Sequence, residues 1–297
     1  MNRVIADTLP FVPKPIVGHF SARYIAGVTL EDAVRVVRQL QEQGACATLD
    51  VLGEHVSRRE EATDYTEQYL QVLDAIAEEG LDSNVSLKPT QMGLEIDRNF
   101  CLENNRRVAE KAAELGNFIR IDMEDKSCTD DTLWLYQQLK GGLPVGTVIQ
   151  AYLRRSDTDL DRLIPLSANL RLCKGIYVEP RSVAYKDREI IRRNYLHLLE
   201  RLFEGNCYVG IATHDEYLVW GALRLIRRFS LPKDRYEFQM LLGVDEVLRR
   251  IIIEGGHRLR VYVPYGVQWY AYSVRRLKEN PQIAGYVLQN LFNRQSR

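Results

Sequence analysis

Three consecutive pieces of the chain decide the fold: "ACATLDVLG" (residues 45–53), "TDYTEQYLQVLDAIAEEG" (63–80) and "NVSLKPTQMG" (84–93). The first and third are short, compact and rich in β-branched residues, as strands buried on both faces are. The middle piece carries Tyr69, Leu70, Leu73, Ile76 and Ala77 at helical spacing and stops at Gly80. Glycine just past the last periodic residue is the usual left-handed helix stop. Strand, helix and strand in that order make a right-handed unit with parallel strands.

The unit repeats. Further strand-like runs are "FIRIDMED" (118–125), "GTVIQAYL" (146–153), "LRLCKGIYV" (170–178), "CYVGIATHD" (207–215), "YEFQMLLG" (236–243) and "RLRVYVPYG" (258–266). Helical patterns stand at 30–44, 101–116, 182–204, 216–229 and 244–255, and those ending at Gly44 and Gly116 repeat the glycine stop. Eight strand-like runs in 297 residues fit one closed (β/α)8 barrel of the TIM type, with a doubly wound open sheet as the alternative. No Gly-rich G-x-G-x-x-G turn follows the first run, which counts against a dinucleotide-binding open sheet. No low-complexity linker divides the chain, so residues 1–297 are expected to form a single domain.

Composition narrows the partners. Lys plus Arg and Asp plus Glu number 40 each, giving a formal charge of zero, so nothing global favours nucleic acid. The five cysteines lack CxxC spacing and read as free thiols of a reducing compartment. The five histidines show no zinc-site spacing, and no metal is expected. There is no apolar run fit for a signal peptide or a membrane span. A cytoplasmic location is expected.

In a barrel of this kind the active site lies at the C-terminal ends of the strands. The polar residues there are Lys88, Asp122, Glu124, Gln150, Tyr152, Arg171, Lys174, Tyr177, Thr213, His214, Asp215, Glu237, Gln239, Tyr262 and Tyr265. Any single one could belong to a loop or a helix cap, and Thr213 and Asp215 suit caps. The whole ring points to a cationic, amide-lined cavity. Lys88 fits a Schiff-base lysine or an ion pair with Asp122; the pair is the expectation. Lys174 has the same two readings and a third, a cation for a phosphate or an electron-rich cofactor.

Near the end stands "YAYSVRRLKEN" (270–280). On a helix, Tyr272, Arg275, Arg276 and Glu279 share one stripe, opposite Val267, Tyr270, Ala271, Val274 and Leu277. Periodicity alone makes the arginine stripe a solvated face.

The motif "YSVRRLKEN" resembles the C-terminal signature of the proline dehydrogenases, flavin enzymes that oxidise L-proline. "RYIAGVTLEDA" and "ATLDVLGE" resemble the family's opening segments. "SLKPTQMG", "RIDMED", "IQAYLRR", "RLCKGIY", "IATHD" and "EFQMLLG" resemble its strand motifs in the same order. The similarity spans roughly residues 23 to 280. It implies a distorted (β/α)8 barrel with FAD at the mouth and a last helix that lays its arginines over that mouth. On this resemblance Arg275 and Arg276 bind the substrate carboxylate, a match for guanidinium forks. Lys88 and Asp122 form the ion pair near the substrate. Tyr262 packs on the proline ring, Leu241 is an apolar wall, and Tyr177 and Tyr272 complete the substrate pocket. Asp122, Met123, Gln150, Arg171, Lys174, Gly175, Ile176, Thr213, His214 and Gln239 match FAD-binding positions, with Arg171 near the reactive edge of the ring system. Asp122 and Arg171 are the catalytic candidates. One departure is Ile176, where the family usually has alanine.

The implied reaction is oxidation of L-proline to Δ1-pyrroline-5-carboxylate, the first step of proline catabolism, with a hydride passing to flavin N5. Electrons would pass on to a quinone or another acceptor, and a pyrroline-5-carboxylate dehydrogenase is a candidate partner. The amphipathic piece "QIAGYVLQNLFNRQSR" (282–297) fits a peripheral contact with the inner membrane, or packing on the barrel. Two other classes stay open on the residues alone: a Schiff-base lyase using Lys88 or Lys174, and a catalytically silent protein that senses a small carboxylate. Hydroxyproline is an alternative substrate that Tyr262 would crowd.

Overall fold

The computed structural model describes residues 21–270, 272 and 273. A helix, α1 (Leu30–Glu42), precedes the first strand. Then follow β1 (Cys46–Val51), α2 (Arg59–Glu78), β2 (Ser83–Leu87), α3 (Arg98–Glu114), β3 (Ile119–Ile121), α4 (Thr129–Lys140) and β4 (Val145–Gln150). The second half runs α5 (Ser156–Leu163), β5 (Asn169–Cys173), α6 (Arg188–Glu204), β6 (Tyr208–Ala212), α7 (Glu216–Arg228), β7 (Tyr236–Leu241), α8 (Glu246–Glu254) and β8 (Leu259–Tyr265). The eight strands are all parallel and close into a barrel in sequence order, β8 pairing back onto β1. The closed barrel is therefore the fold, and the open sheet is excluded.

Local chemistry sets the helix starts. Thr29 and Asp32 form a reciprocal capping box on α1, Asp97 caps α3 through the Phe100 amide, and Asp187 caps α6. The three anticipated glycine stops all have positive φ, at +80° for Gly44, +60° for Gly80 and +64° for Gly116. The helices α4 and α5 have no counterpart in the sequence reading. Neither ends in a left-handed glycine: α4 is capped by Gly141 at φ −67°, and α5 runs into a 3₁₀ turn at Ile164. The real strands are shorter than the strand-like runs because the tails of those runs, such as "KPTQMG" and "MED", leave the sheet as loops.

Each strand sends one set of alternate residues to the helices and the other into the barrel. The outward set is apolar and buried, including Leu49, Val85, Ile119, Ile149, Leu172, Val209, Phe238 and Val261. The inward set is mostly polar. Pairing aligns Thr48 with Asn84 and Tyr262, Arg120 with Gly146, Arg171 with Gly210, Gly210 with Glu237, and Gln239 with Arg260. Two of these positions are glycine for steric reasons. A Cβ on Gly146 would lie 2.4 Å from Arg120 Nη1, and one on Gly210 would lie 2.4 Å from Gln239 Nε2. Long side chains cross the barrel there, over bare backbone.

Candidate active site

The loops at the C-terminal ends of β2 to β8 surround a cavity of about 400 Å³. On its floor Arg171, from β5, is gripped on several sides. Its Nη1 donates to Asp122 Oδ1 at 2.6 Å, its Nε to Gln239 Oε1 at 2.6 Å and its Nη2 to the Ser86 hydroxyl at 3.3 Å. The Tyr262 ring lies under the guanidinium, 5.3 Å from Cζ to centroid. Asp122 also accepts from the Ser86 hydroxyl at 2.8 Å and the Tyr262 hydroxyl at 3.0 Å. A guanidinium held at this many points loses little freedom when a ligand arrives.

The expected Lys88–Asp122 pair is not formed. Lys88 Nζ donates instead to Asp50 Oδ1, 2.6 Å away on β1. Asp122 is engaged instead by Arg171, Ser86 and Tyr262. Asp50 is completely buried, and its second oxygen has no hydrogen-bond partner. Burial pushes the Asp50 carboxyl above the usual range, Lys88 offsets this only in part, and Asp122 adds to it. Burial alone would lower Lys88, but Asp50, Glu54 and Asp122 hold it above its ordinary value and therefore charged.

Along β4, Gln150 donates through Nε2 to the Met123 and Glu124 carbonyls, both at 3.3 Å. Its Oε1 is buried and unpartnered, an acceptor without a donor inside the cavity wall. Beyond β5, Gly175 sits at φ +102°, and a Cβ there would strike the Tyr152 ring at 2.1 Å. The turn brings Lys174, Ile176 and Tyr177 to the cavity. Lys174 Nζ lies 3.2 Å from Asp215 Oδ2, and Arg192 grips the same carboxylate with two hydrogen bonds of 2.8 and 2.9 Å. Against the effect of burial, Arg192 and Lys174 pull Asp215 down to about 2. Asp215 stands at the N-cap of α7, yet its side chain makes no cap; the Thr213 hydroxyl accepts the Asp215 amide instead. His214 accepts the Leu241 amide at Nε2, 2.9 Å, so its proton belongs on Nδ1.

Met123, Gln239, Leu241, Tyr262 and Tyr272 also line the cavity. Tyr272 is packed against Ile25 and Leu52. Among the anticipated polar residues, three do not reach it. Tyr152 is buried against Leu153 and Ala184 beneath Gly175, Tyr265 belongs to the outer core, and Glu237, second in β7, points toward the opposite end of the barrel. Arg275, Arg276, Glu279 and the amphipathic piece 282–297 lie outside the described residues. Sequence reasoning misses Asp50, Ser86 and Arg188. Asp50 carries a visible signal, an ionisable residue inside an otherwise apolar strand.

Burial lifts Glu124, on the wall beside Met123, to about 7, even though it accepts from the Thr90 amide at 2.9 Å and hydroxyl at 2.6 Å. Among the described residues, no group of three or more His, Cys, Asp or Glu is arranged to hold a metal, and no helix is long and apolar enough to cross a membrane.

Residues 33–289 match the family model described as proline dehydrogenase. The chain is 38% identical over 274 residues to proline dehydrogenase 1 of Bacillus subtilis subsp. natto, covering 92% of this chain and 90% of that protein. It is 37% identical over 279 residues to the proline dehydrogenase of Deinococcus radiodurans, with the same coverage. Among solved structures, proline utilization A from Bdellovibrio bacteriovorus, inactivated by N-propargylglycine, superposes with a TM-score of 0.82 at 26% identity. That match covers 88% of this chain and 32% of the other.

Proposed function

The chain belongs to the proline dehydrogenase family, and from that premise we propose that its mouth cavity holds FAD and presents L-proline to it. The protein is an oxidoreductase that oxidises proline, the first step of proline catabolism. Family membership makes it flavin-dependent; the choice of FAD and the role of each residue are our reading.

The residues present fit a flavin. The open Gln150 Oε1 needs a donor, which a flavin ring N–H offers. Arg171 puts a fixed cation on the floor, suited to the charge that develops on a reduced flavin. Lys174 and Arg188 bring positive charge to the rim, where a diphosphate would need it. Met123, Gly175, Ile176, Thr213 and His214 complete the holding set, and Gln239 joins it through Arg171, the two ends of its amide being taken by Arg171 and Glu237. The exposed Ile176 side chain leaves its backbone free to make the contact. When bound, FAD supplies the two-electron acceptor that no protein side chain provides.

The other residues orient the substrate. Arg275 and Arg276 would clamp the proline carboxylate. Tyr262, Tyr272, Tyr177 and Leu241 would pack the ring, and the Lys88–Asp50 pair would add a cation beneath it. Asp122 holds Arg171 and the Tyr262 hydroxyl together, so one carboxylate fixes both the electrostatic floor and the ring-packing wall. Proline must react with its nitrogen neutral, and solvent takes that proton. We take residues 1–297 as a single barrel domain, with a quinone as the electron acceptor.

The observation that carries this reading is the Arg171 clamp facing a cavity with an open amide acceptor. Adding L-proline anaerobically to the yellow protein should bleach its visible spectrum, and a quinone analogue should restore it. N-propargylglycine, which shares the secondary amine and carboxylate of proline, should cause irreversible bleaching. Arg276→Met should cost about tenfold to a hundredfold in kcat/KM for proline. A flavin that proline cannot reduce would overturn the substrate assignment, and a colourless protein that FAD cannot reconstitute would overturn the cofactor.

A further inference from the structure

The barrel interior holds a chain of polar contacts that runs away from the cavity. Gln239 lies just below Arg171. Its Oε1 accepts from Arg171 Nε at 2.6 Å, and its Nε2 donates to Glu237 Oε1 at 2.6 Å. Glu237 Oε1 also accepts from Arg260 Nε at 2.8 Å, while Oε2 accepts from Arg258 Nε at 3.3 Å. Glu237, Gln239, Arg171 and Arg260 are all buried. The bare backbone of Gly210 leaves room for the Gln239 amide and for no additional atom there.

An amide has two ends, and only one orientation works here. Turned over, Gln239 would set its NH2 against the Arg171 guanidinium and its carbonyl against the Glu237 carboxylate. Both contacts would be repulsive in a low-dielectric interior. The fixed negative charge of Glu237, secured by Arg260, therefore selects the end of Gln239 that faces Arg171.

We propose that Gln239 and Glu237 are positioning residues for the reaction: Glu237 orients the Gln239 amide, and Gln239 holds Arg171 in the plane the flavin meets. The proposal rests on the assignment of Arg171 to the reactive edge of the flavin. It adds a support reaching through the barrel from its N-terminal half. Neither residue belongs to the proposed substrate set, so proline binding should stay nearly constant while the rate of flavin reduction and the flavin reduction potential change.

Three variants of the flavin-loaded protein test this. Gln239→Leu removes the Arg171 acceptor and should slow anaerobic flavin reduction about tenfold to a hundredfold, as expected for a lost hydrogen bond to a charged group. The KM for proline should move less than about threefold, and the flavin potential should fall as the cation loosens. Gln239→Glu alone sets two carboxylates face to face and should also slow reduction. The double exchange, Glu237→Gln with Gln239→Glu, keeps an acceptor against Arg171 and puts an amide donor against that acceptor. It leaves the exchanged amide carbonyl to the arginines beneath, and it should recover much of the rate lost in Gln239→Glu alone, with the potential staying below that of the wild type because a carboxylate faces Arg171.

Thermal unfolding of each flavin-loaded variant separates positioning from simple stability. If rate follows Tm across the three variants, or if Gln239→Leu reduces within about twofold of the wild type, the proposal is wrong. If Gln239→Leu does not fold, the Gln239→Glu and exchange pair decides: no recovery of rate in a folded exchange variant overturns it. Failure of the underlying assignment looks different. Arg171→Lys would then reduce at the wild-type rate whatever the Gln239 variants do.

Discussion

The two ends of the barrel interior both bury carboxylates, and Glu237 and Asp50 are held in opposite ways. At the N-terminal end, Glu237 accepts from Gln239, Arg260 and Arg258. Burial alone would raise its carboxyl, but Arg260 and the hydrogen bonds from Arg260 and Gln239 hold it down to about 2. At the C-terminal mouth, Asp50 keeps one bare oxygen and its carboxyl is pushed up, and Gln150 keeps a bare carbonyl. Both ends are built from inward-facing residues of the strands, at different levels along the barrel. The saturated Glu237, away from the mouth cavity, marks a support, while the Gln150 carbonyl left open in the cavity wall marks a place for a ligand.

The sharpest way to break this contrast is Glu237→Ala. It strands the buried Arg260 without its carboxylate and should cost about 3–5 kcal/mol of stability. The expected readout is a fall of several degrees in Tm and a lower urea midpoint. If Tm is unmoved, the lower cluster is not a support. Asp122→Asn is the counterpart at the mouth. It should cost about a hundredfold in flavin reduction, with a smaller loss of Tm because Arg171 can turn to solvent in the cavity. An Asp122→Asn protein that is destabilised as much as Glu237→Ala but still active would invert the assignment of the two ends.

Gly175→Ala tests the turn that carries the cofactor loop. Alanine at φ +102° is strained, and its Cβ meets the Tyr152 ring. The expected loss is about 1–3 kcal/mol, read as weaker flavin retention on gel filtration.

The most gradual effect is in pH dependence. Glu124 has a folded pKa of about 7, above its unfolded value, so its contribution is complete below the unfolded pKa and is lost as pH rises through 7. Glu237 is the reverse: its contribution is present above its unfolded pKa and is lost as pH falls toward 2. Glu124→Gln should remove up to about 1.4 kcal/mol per pH unit of the decline in stability between about pH 5 and 7 and leave the acid limb alone. Chemical unfolding across pH for both proteins would show it; parallel curves would mean that Glu124 does not titrate in this window.

The site is partly legible in the sequence. Lys88, Asp122, Gln150, Arg171, Lys174, Thr213, His214, Gln239, Leu241 and Tyr262 stand out there, and all of them line the mouth cavity. Their pairing is not legible. Lys88 and Asp122 are near each other along the barrel, but whether they bond depends on which other side chains reach Asp122 first, and Arg171 does so from two strands away. Glu237 fails as a mouth residue for a simpler reason. Glu237 is the second residue of β7 and so belongs to its N-terminal end, and two residues along a strand separate the floor of the cavity from the interior beneath it.

The sequence by itself determined the eight strands, most of the helices between them and the glycine stops. These depend on residues near one another in the chain, and local backbone and side-chain periodicity records them directly. Only the tertiary structure decided which carboxylate each buried cation meets, which acceptors stay open, and that Glu237 stands beneath the site. Those outcomes depend on closure of the barrel, which brings Asp50, Ser86, Asp122, Arg171, Gln239 and Tyr262 from different strands within bonding reach or close to it. A buried charge takes the partner that geometry delivers, and chain order does not encode that choice.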